Sequence, residues 1–573
     1  MKLKNMIIAF SLLASMLMAA DRYEAEDGSI DGGATIANRA GASGSSLVQM
    51  KEGSISVKVT VPESKNYTIL IAYTNTYGDK INTLQINGKT IGDLDFPETK
   101  SNEFKIIESV APLKSGENTI SLVKNWGWID VDYFEISNFE ASPFTINPHL
   151  VTPNATIEAR KVYQFLVENF SKKTISGVMT GDLEGGPTLK EQLDVQDIFT
   201  KSQKYPAMVG FDFMFATGAE ADGSWSQDYT NTSLRLAEEL WEEGGIPAFT
   251  WHWRDPNRLT NEFYIEGANP NPEFTKFDYS DAFKPGTTEW NENSSTYKNM
   301  IADIDQIADL FLGLQAKGVA AIFRPLHEVG GEWFWWTARK KGDLHSASEF
   351  IALYRLVFDR IVHHKKVSNL IWVWNPEPSV LETWDPGAEY YDILSYDKYY
   401  NAKDYSSHIA AYNSYKNASN SNKILALSEN GPIPDVNNMH EDGAVWSWWM
   451  PWYASWGGEY PSRTENSVWV SNMSDPRIIT LEDMPGWDAY TLNTILSKRS
   501  TPFHWALQGK HLKIQNPKNE NLSVEIFHIN GNKVKSFSSS PANSYSLEAL
   551  PKGVYVLRIQ SPSVSISKPI AIQ

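Results

Sequence analysis

The sequence predicts a (β/α)₈ barrel between about residues 154 and 503, flanked by a β-sandwich on its N-terminal side and a smaller one at its C-terminal end. Three observations carry this. Eight strand-like apolar runs alternate with amphipathic helical stretches in the middle of the chain. The region before them holds short alternating runs and no helical period. The region after them is again β-rich, with a different charge balance. At 573 residues the chain is too long for one ordinary core, so several domains are expected.

Residues 1–20 read as a secretory signal. Lys2 and Lys4 supply the positive start, Met6 to Ala20 are almost wholly apolar, and Ala19-Ala20 offer small residues for cleavage. The apolar run is 15 residues, short of the roughly 20 that a spanning helix needs. No other run is long and apolar enough to span, so no transmembrane segment is expected after signal removal, and the location expected is secreted or cell-surface.

Residues 21–140 carry runs such as Ser54-Ile55-Ser56-Val57-Lys58-Val59 and Tyr67-Thr68-Ile69-Leu70-Ile71, separated by turn signals such as Asn87-Gly88. This is a sandwich pattern. The proline-rich stretch 141–153 reads as a linker.

The eight strand candidates of 154–503 begin near Ile175, Tyr205, Ile246, Val319, Asn369, Tyr391, Lys423 and Gly443. Helical stretches such as Thr232 to Glu243, Lys298 to Lys317 and Ser346 to Lys365 lie between them, with apolar residues at three- and four-residue spacing. A doubly wound open sheet is the alternative, but Gly181-Asp182-Leu183-Glu184-Gly185-Gly186 lacks the phosphate-loop spacing such sheets usually carry. Residues 504–573 hold eight Lys or Arg against three acids, a hairpin signal at Asn530-Gly531 and an alternating strand after Leu550-Pro551.

The net charge of −18 argues against a nucleic-acid or anionic-membrane partner, since either needs a basic face. With no cysteine, thiolate chemistry and disulfides are excluded.

The chemistry concentrates at two glutamates. Glu328 ends the run Phe323-Arg324-Pro325-Leu326-His327-Glu328, and Glu429 ends Leu425-Ala426-Leu427-Ser428-Glu429. These are candidate strands four and seven, whose C-terminal ends meet at one barrel mouth. Period-two alternation predicts Arg324, Leu326 and Glu328 on one face, and Leu425, Leu427 and Glu429 on one face of theirs. Two carboxylates there can split glycosidic-bond cleavage, one as proton donor and one as nucleophile, with retention if they stand about 5–5.5 Å apart. Repulsion and burial would hold a proton on the donor. Position 331 is Gly, so His327-Glu328 has no second His for a zinc-protease helix. Of the 21 tryptophans, 18 lie between Trp225 and Trp487, enough for both a core and a sugar-stacking wall.

The motifs RPLHEVGGEWFWW, LSENGPIP and WHW (Trp251-His252-Trp253) resemble glycoside hydrolase family 26, over about residues 150–500. The resemblance implies a TIM-type barrel and a retaining endo-β-1,4-mannanase acting on β-mannan without a catalytic cofactor. It implies Glu328 as acid/base, Glu429 as nucleophile and His327 as the residue preceding the acid. Trp333 and Tyr396 would line the −1 subsite, Tyr396 orienting the nucleophile. Trp452 is the tryptophan chosen near strand eight, with Trp448 and Trp449 as competitors. His252 would either bind a sugar hydroxyl or satisfy the rim. Family activities on β-1,3-xylan or mixed-linkage β-glucan, and a non-catalytic carbohydrate-binding barrel, are the alternatives.

Residues 21–138, from Tyr23-Glu24-Ala25-Glu26-Asp27 to Trp126-Gly127-Trp128-Ile129-Asp130-Val131-Asp132, resemble family 35 carbohydrate-binding modules. This implies a structural calcium held by Glu24, Glu26 and Asp132, with Trp126 as the residue stacking on sugar. The C-terminal domain resembles sorting domains of secreted bacterial enzymes, implying contact with secretion machinery.

Overall fold

The structure, a computed structural model, describes residues 21–139, 143–268, 272–399 and 401–492, and most strands of 504–572. The expected signal, the first linker residues and the Asn530-Gly531 turn lie outside the described residues.

The N-terminal module stacks a six-stranded and a five-stranded antiparallel sheet. The strand Ser54–Val61 shows why: Ile55, Val57, Val59 and Val61 are buried while Lys58 and Thr60 face out, the period-two pattern of a half-solvated strand. Asn87 and Gly88 both take positive φ, 53° and 79°, as a two-residue type I′ hairpin requires between Lys80–Ile86 and Lys89–Phe96. The first strand, Asp21–Glu24, pairs with the last, Ile129–Asn138, setting Glu24 opposite Tyr133 and hence beside Asp132.

The middle region is a nearly closed parallel barrel. Its seven strands are Gly177–Met179, Met208–Asp212, Ile246–Trp251, Ala321–Pro325, Leu370–Trp374, Ile393–Lys398 and Ile424–Asn430, each paired in parallel with the next. The eighth candidate near Gly443 is not a regular strand, yet residues 447–451 close the ring. The Ile175 amide donates to the Ser447 carbonyl at 2.8 Å and the Met179 amide to Pro451 at 2.9 Å. On the other flank Leu427 donates to Trp448 at 3.0 Å and Asn430 to Met450 at 3.1 Å. Pro451 has no N–H to give, which interrupts the ladder there.

Outside the barrel, the helix Ser295–Ala316 buries Met300, Ile304, Ile307, Ala308, Phe311 and Leu314 as one stripe. Inside, Gly210 is required by close packing. A Cβ there would stand 2.5 Å from the Met179 sulfur and 2.7 Å from that of Met450. The interior is therefore a packed core, and chemistry is confined to the mouth.

Residues 493–573 form a second compact unit. It has a three-stranded and a four-stranded antiparallel sheet over a core that includes Leu512, Ile514, Val524, Ile526, Leu557 and Ile559.

Candidate active site

Barrel strand four ends at Pro325, three residues before Glu328. The expected alternation through Glu328 does not hold, because Leu326 and Glu328 take left-handed backbone angles, φ 50° and 53°. Such a conformation costs a non-glycine residue about 1–2 kcal/mol, and Asn375 at the end of strand five stabilises it. Its Oδ1 accepts from the Glu328 amide at 2.8 Å and from Arg324 Nη1 at 3.3 Å. Its Nδ2 donates to Ser395 Oγ at 2.9 Å and Asp397 Oδ1 at 3.0 Å.

Glu429 reaches the mouth by a different device. Strands six and seven slip register, from Tyr396 opposite Leu427 to Asp397 opposite Glu429, so Ser428 is the extra residue of a bulge. Ser428 borders the barrel interior beside Arg324, and the bulge turns the following side chain, Glu429, to Arg324 as well.

Arg324 organises the carboxylates. One guanidinium nitrogen donates to Asp397 Oδ2 and the other to Glu429 Oε1. Tyr399 Oη donates to Glu429 Oε2. Arg324 reaches Glu328 through its charge and not through a hydrogen bond, and Glu328 Oε2 accepts from the Trp333 indole at 2.5 Å. One oxygen from each of Glu328, Asp397 and Glu429 lies within 4.8 Å of the others. Burial, then the facing Glu429 and Glu377 carboxylates, push the Glu328 pKa well above the usual carboxylate range. Burial also lifts Asp397, against the pull of Arg324. Arg324 is raised although burial opposes its charge, because Asp397 and Glu429 outweigh that penalty.

Beneath this layer His327 is buried and held neutral, its pKa lowered by burial and then by Arg324 and His252. Its Nε2 lies 3.2 Å from His252 Nε2 and 4.0 Å from Glu429 Oε1. His252 Nδ1 lies 2.5 Å from Asp212 Oδ2. Both His252 nitrogens thus face protein partners.

The aromatic run divides. Phe334, Trp335 and Trp336 are core, and Trp336 Nε1 donates to the His327 carbonyl at 2.9 Å. Trp333 alone of the four stays half-buried, on Glu328. Of the strand-eight tryptophans, Trp448 and Trp449 are interior, whereas Trp452 stands 6.1 Å ring to ring from His252. Tyr396 departs from expectation. Its ring packs on Tyr415 at 5.0 Å and its hydroxyl donates to Asp95 of the N-terminal module at 2.7 Å, on the outer side of strand six. Tyr399 occupies the place at Glu429 expected of Tyr396. The parity of strand six puts Tyr396 and Asp397 on opposite sides, and that signal is enough to separate the two tyrosines. The roles of Arg324, Asn375, Asp397 and Asp212 escape a sequence reading, because single polar residues in apolar strands have no motif of their own.

A family model described as glycosyl hydrolase family 26 matches residues 151–482, more than half of the chain. The chain belongs to glycosyl hydrolase family 26. Family 26 membership makes it a glycoside hydrolase, of a family whose norm is the retaining mechanism. Models for carbohydrate binding module family 35 and for a secretion system C-terminal sorting domain match residues 21–139 and 509–573. The sorting domain points to export. No described helix is long and apolar enough to cross a membrane.

Among similar proteins, mannan endo-1,4-beta-mannosidase A of Piromyces sp is 32% identical over 463 residues, covering 79% of this chain and 71% of that protein. The mannan endo-1,4-beta-mannosidase of Thermothelomyces thermophilus is 31% identical, covering 82% and 91%. The solved GH26-CBM35 beta-(1,4)-mannanase of Podospora anserina superposes with a TM-score of 0.53 at 28% identity, over 82% of this chain and 99% of that one. A ruminal GH26 endo-beta-1,4-mannanase gives 0.55 at 25% identity, over 82% and 98%.

Proposed function

We propose that this protein is an exported endo-β-1,4-mannanase that cleaves mannan, glucomannan or galactomannan with retention. The observation that carries the reading is the asymmetry of Arg324, which is bound to Glu429 and Asp397 but not to Glu328. The guanidinium holds the Glu429 carboxylate in place as the nucleophile, while Glu328, whose pKa is raised by desolvation and by the facing Glu429, keeps its proton as the acid. Relatives named as mannan endo-1,4-beta-mannosidases support mannan as the polymer.

In the first step Glu328 gives its proton to the glycosidic oxygen as the C1–O bond breaks, and a Glu429 oxygen bonds to C1. In the second, Glu328 takes a proton from water whose oxygen attacks C1, and the Glu429 ester bond breaks. The proximity of carboxylate oxygens, within 4.8 Å, suits direct attack rather than an interposed water. Trp333 and Trp452 wall the sugar site, and neutral His327, oriented by His252, packs beneath the nucleophile.

The N-terminal module binds polysaccharide through exposed Trp126 and holds a structural calcium. Two observations fit the cation: Glu24 Oε2 and Glu26 Oε2 are buried without a hydrogen-bond partner. Asp132 accepts from the Ser43 amide at 2.9 Å, and burial, with Glu24 and Glu26 adding to it, pushes its pKa up to about 6. The ion would neutralise these acids where the module's terminal strands meet. The N-terminal signal starts export, and the C-terminal domain contacts secretion machinery.

Product analysis on mannan, glucomannan, galactomannan, β-1,3-xylan and mixed-linkage β-glucan, with the new anomer followed by NMR, tests the reading. Expected are β-manno-oligosaccharides of retained configuration. Turnover confined to xylan or β-glucan would replace the substrate, and no turnover of any polymer would leave a binding protein.

A further inference from the structure

The N-terminal module touches the barrel where the nucleophile is held. After barrel strand six the chain carries Tyr399, the hydroxyl donor to Glu429, and then Asn401 and Ser406. Three points of the module strand Lys89–Phe96 meet the end of strand six and this stretch. Asp95 accepts from Tyr396 Oη at 2.7 Å and pairs with Lys398 through its other oxygen. Asp93 Oδ2 lies 3.4 Å from Asn401 Nδ2. Gly92 sits so close that a Cβ would stand 2.9 Å from Ser406 Oγ. Both aspartates are themselves tied down within the module: Thr83 Oγ1 donates to Asp93 at 2.5 Å, and Asp95 pairs with Ile81 across the sheet.

The contact is a buried one. The barrel helix Ile409–Ala418 puts Ala410 into the module's own core. Lys398 is largely buried, and although burial opposes its charge, Asp95 and then Glu377 raise its pKa above the ordinary lysine value. Glu377, one of the charges bearing on Glu328, is pushed up to about 8 by burial, with Asp95 and Asp79 of the module adding to the effect. From the barrel side, Tyr399 has the ring of Tyr460 at 4.7 Å to steady it.

We propose that the N-terminal module is a brace for the catalytic centre. Asp95, with Asp93, is a positioning residue that fixes the end of strand six and the stretch after it, and thereby holds the Tyr399 hydroxyl on Glu429. The module then acts on every substrate, including ones too short to reach its sugar-binding face. The proposal rests on the reading of Glu429 as nucleophile.

The test compares full-length Asp95→Ala, Asp95→Glu, Tyr399→Phe and the Asp95→Ala/Tyr399→Phe double variant on a soluble aryl β-mannobioside. Misplacement by about 1 Å costs on the order of 10²-fold, so Asp95→Ala should lower kcat by about tenfold or more with KM little changed. Asp95→Glu should recover part of the loss. The double variant should be no slower than Tyr399→Phe alone, since both remove one interaction. A second readout needs no substrate: ¹⁹F NMR of the protein carrying 3-fluorotyrosine at position 399 should show a shifted or broadened resonance on Asp95→Ala. Unchanged kcat, additive losses or an unmoved resonance would each overturn the brace. If the parent protein turns over none of the polymers named above but the resonance moves, the contact positions Tyr399 and the mannanase reading fails.

Discussion

Among the described residues, the carboxylates of the barrel mouth and those of the N-terminal module differ in where the balancing charge comes from. In the barrel, Glu328, Asp397 and Glu429 enclose Arg324, whose guanidinium is carried by the chain and bonds two of the three. In the N-terminal module, Ser43 donates to Glu24 and Asp132, and Glu26 acts on Asp132 through its charge, while the nearby Arg22 pairs with Glu135 at 2.6 Å and reaches Ser43 Oγ at 3.3 Å. A covalently supplied cation gives an uneven field, because it bonds two of the acids and leaves Glu328, whose pKa is raised, without a hydrogen bond from it. A cluster with two unpartnered buried oxygens instead invites an exchangeable ion. The first arrangement suits chemistry, and the second suits stapling.

The largest effect should come from removing the carboxylate that Arg324 and Tyr399 hold. Glu429→Ala should lower kcat on soluble mannan by at least about 10⁴-fold, as loss of a nucleophile does elsewhere. Circular dichroism should be unchanged, and cleavage within tenfold of the parent would show that the asymmetry around Arg324 has no catalytic meaning. Arg324→Met comes next. It leaves Asp397 and Glu429 facing each other without a cation, and breaking a buried pair in this way costs about 3–5 kcal/mol. Denaturant unfolding should show a loss of that size for the barrel, together with loss of activity. A stability equal to the parent would mean that the cluster does not need its internal charge.

Much of this contrast is legible in the amino-acid sequence. The hydrophobic period locates the barrel strands, and two glutamates at strand ends stand out because they close apolar runs. What stays hidden depends on backbone irregularity. Glu328 is aimed by left-handed residues, and Glu429 by a bulge at Ser428, neither of which a strict period-two reading contains. Tyr396 is a different case, since the parity of strand six already separates it from Tyr399, which stands on the nucleophile. The contact of Asp95 with strand six joins residues 301 positions apart, and no local pattern encodes it.

The module cluster makes a prediction of opposite character. Asp132 is pushed up to about 6 from an ordinary 3.8, so the folded module binds a proton that the unfolded chain has released. Without a cation, stability should be present at low pH and decline as pH rises from about 4 through 6. Calcium at about a hundredfold above its Kd should contribute about 2.7 kcal/mol, which for a domain of this size raises the melting temperature by roughly 10 °C. Chelator should reverse the gain, and Glu24→Gln should abolish it. Calorimetry at pH 5 and pH 7.5, with and without calcium, reads all of this, and a calcium-independent melting point would make the cluster a solvated acidic edge.

The finest test of the asymmetry is Trp333→Phe. The indole N–H at 2.5 Å favours the ionised form of Glu328, opposing burial and the charge of Glu429. Phenylalanine keeps an aromatic face for the sugar but cannot donate, so the Glu328 pKa should rise further. The alkaline limb of kcat/KM reports the acid of the free enzyme and should move to higher pH. The loss in rate at the optimum should be modest beside that of Glu429→Ala. A limb that moved to lower pH would mean that the acid is charged by something other than the groups around Glu328, and the division of labour drawn from Arg324 would have to be reversed.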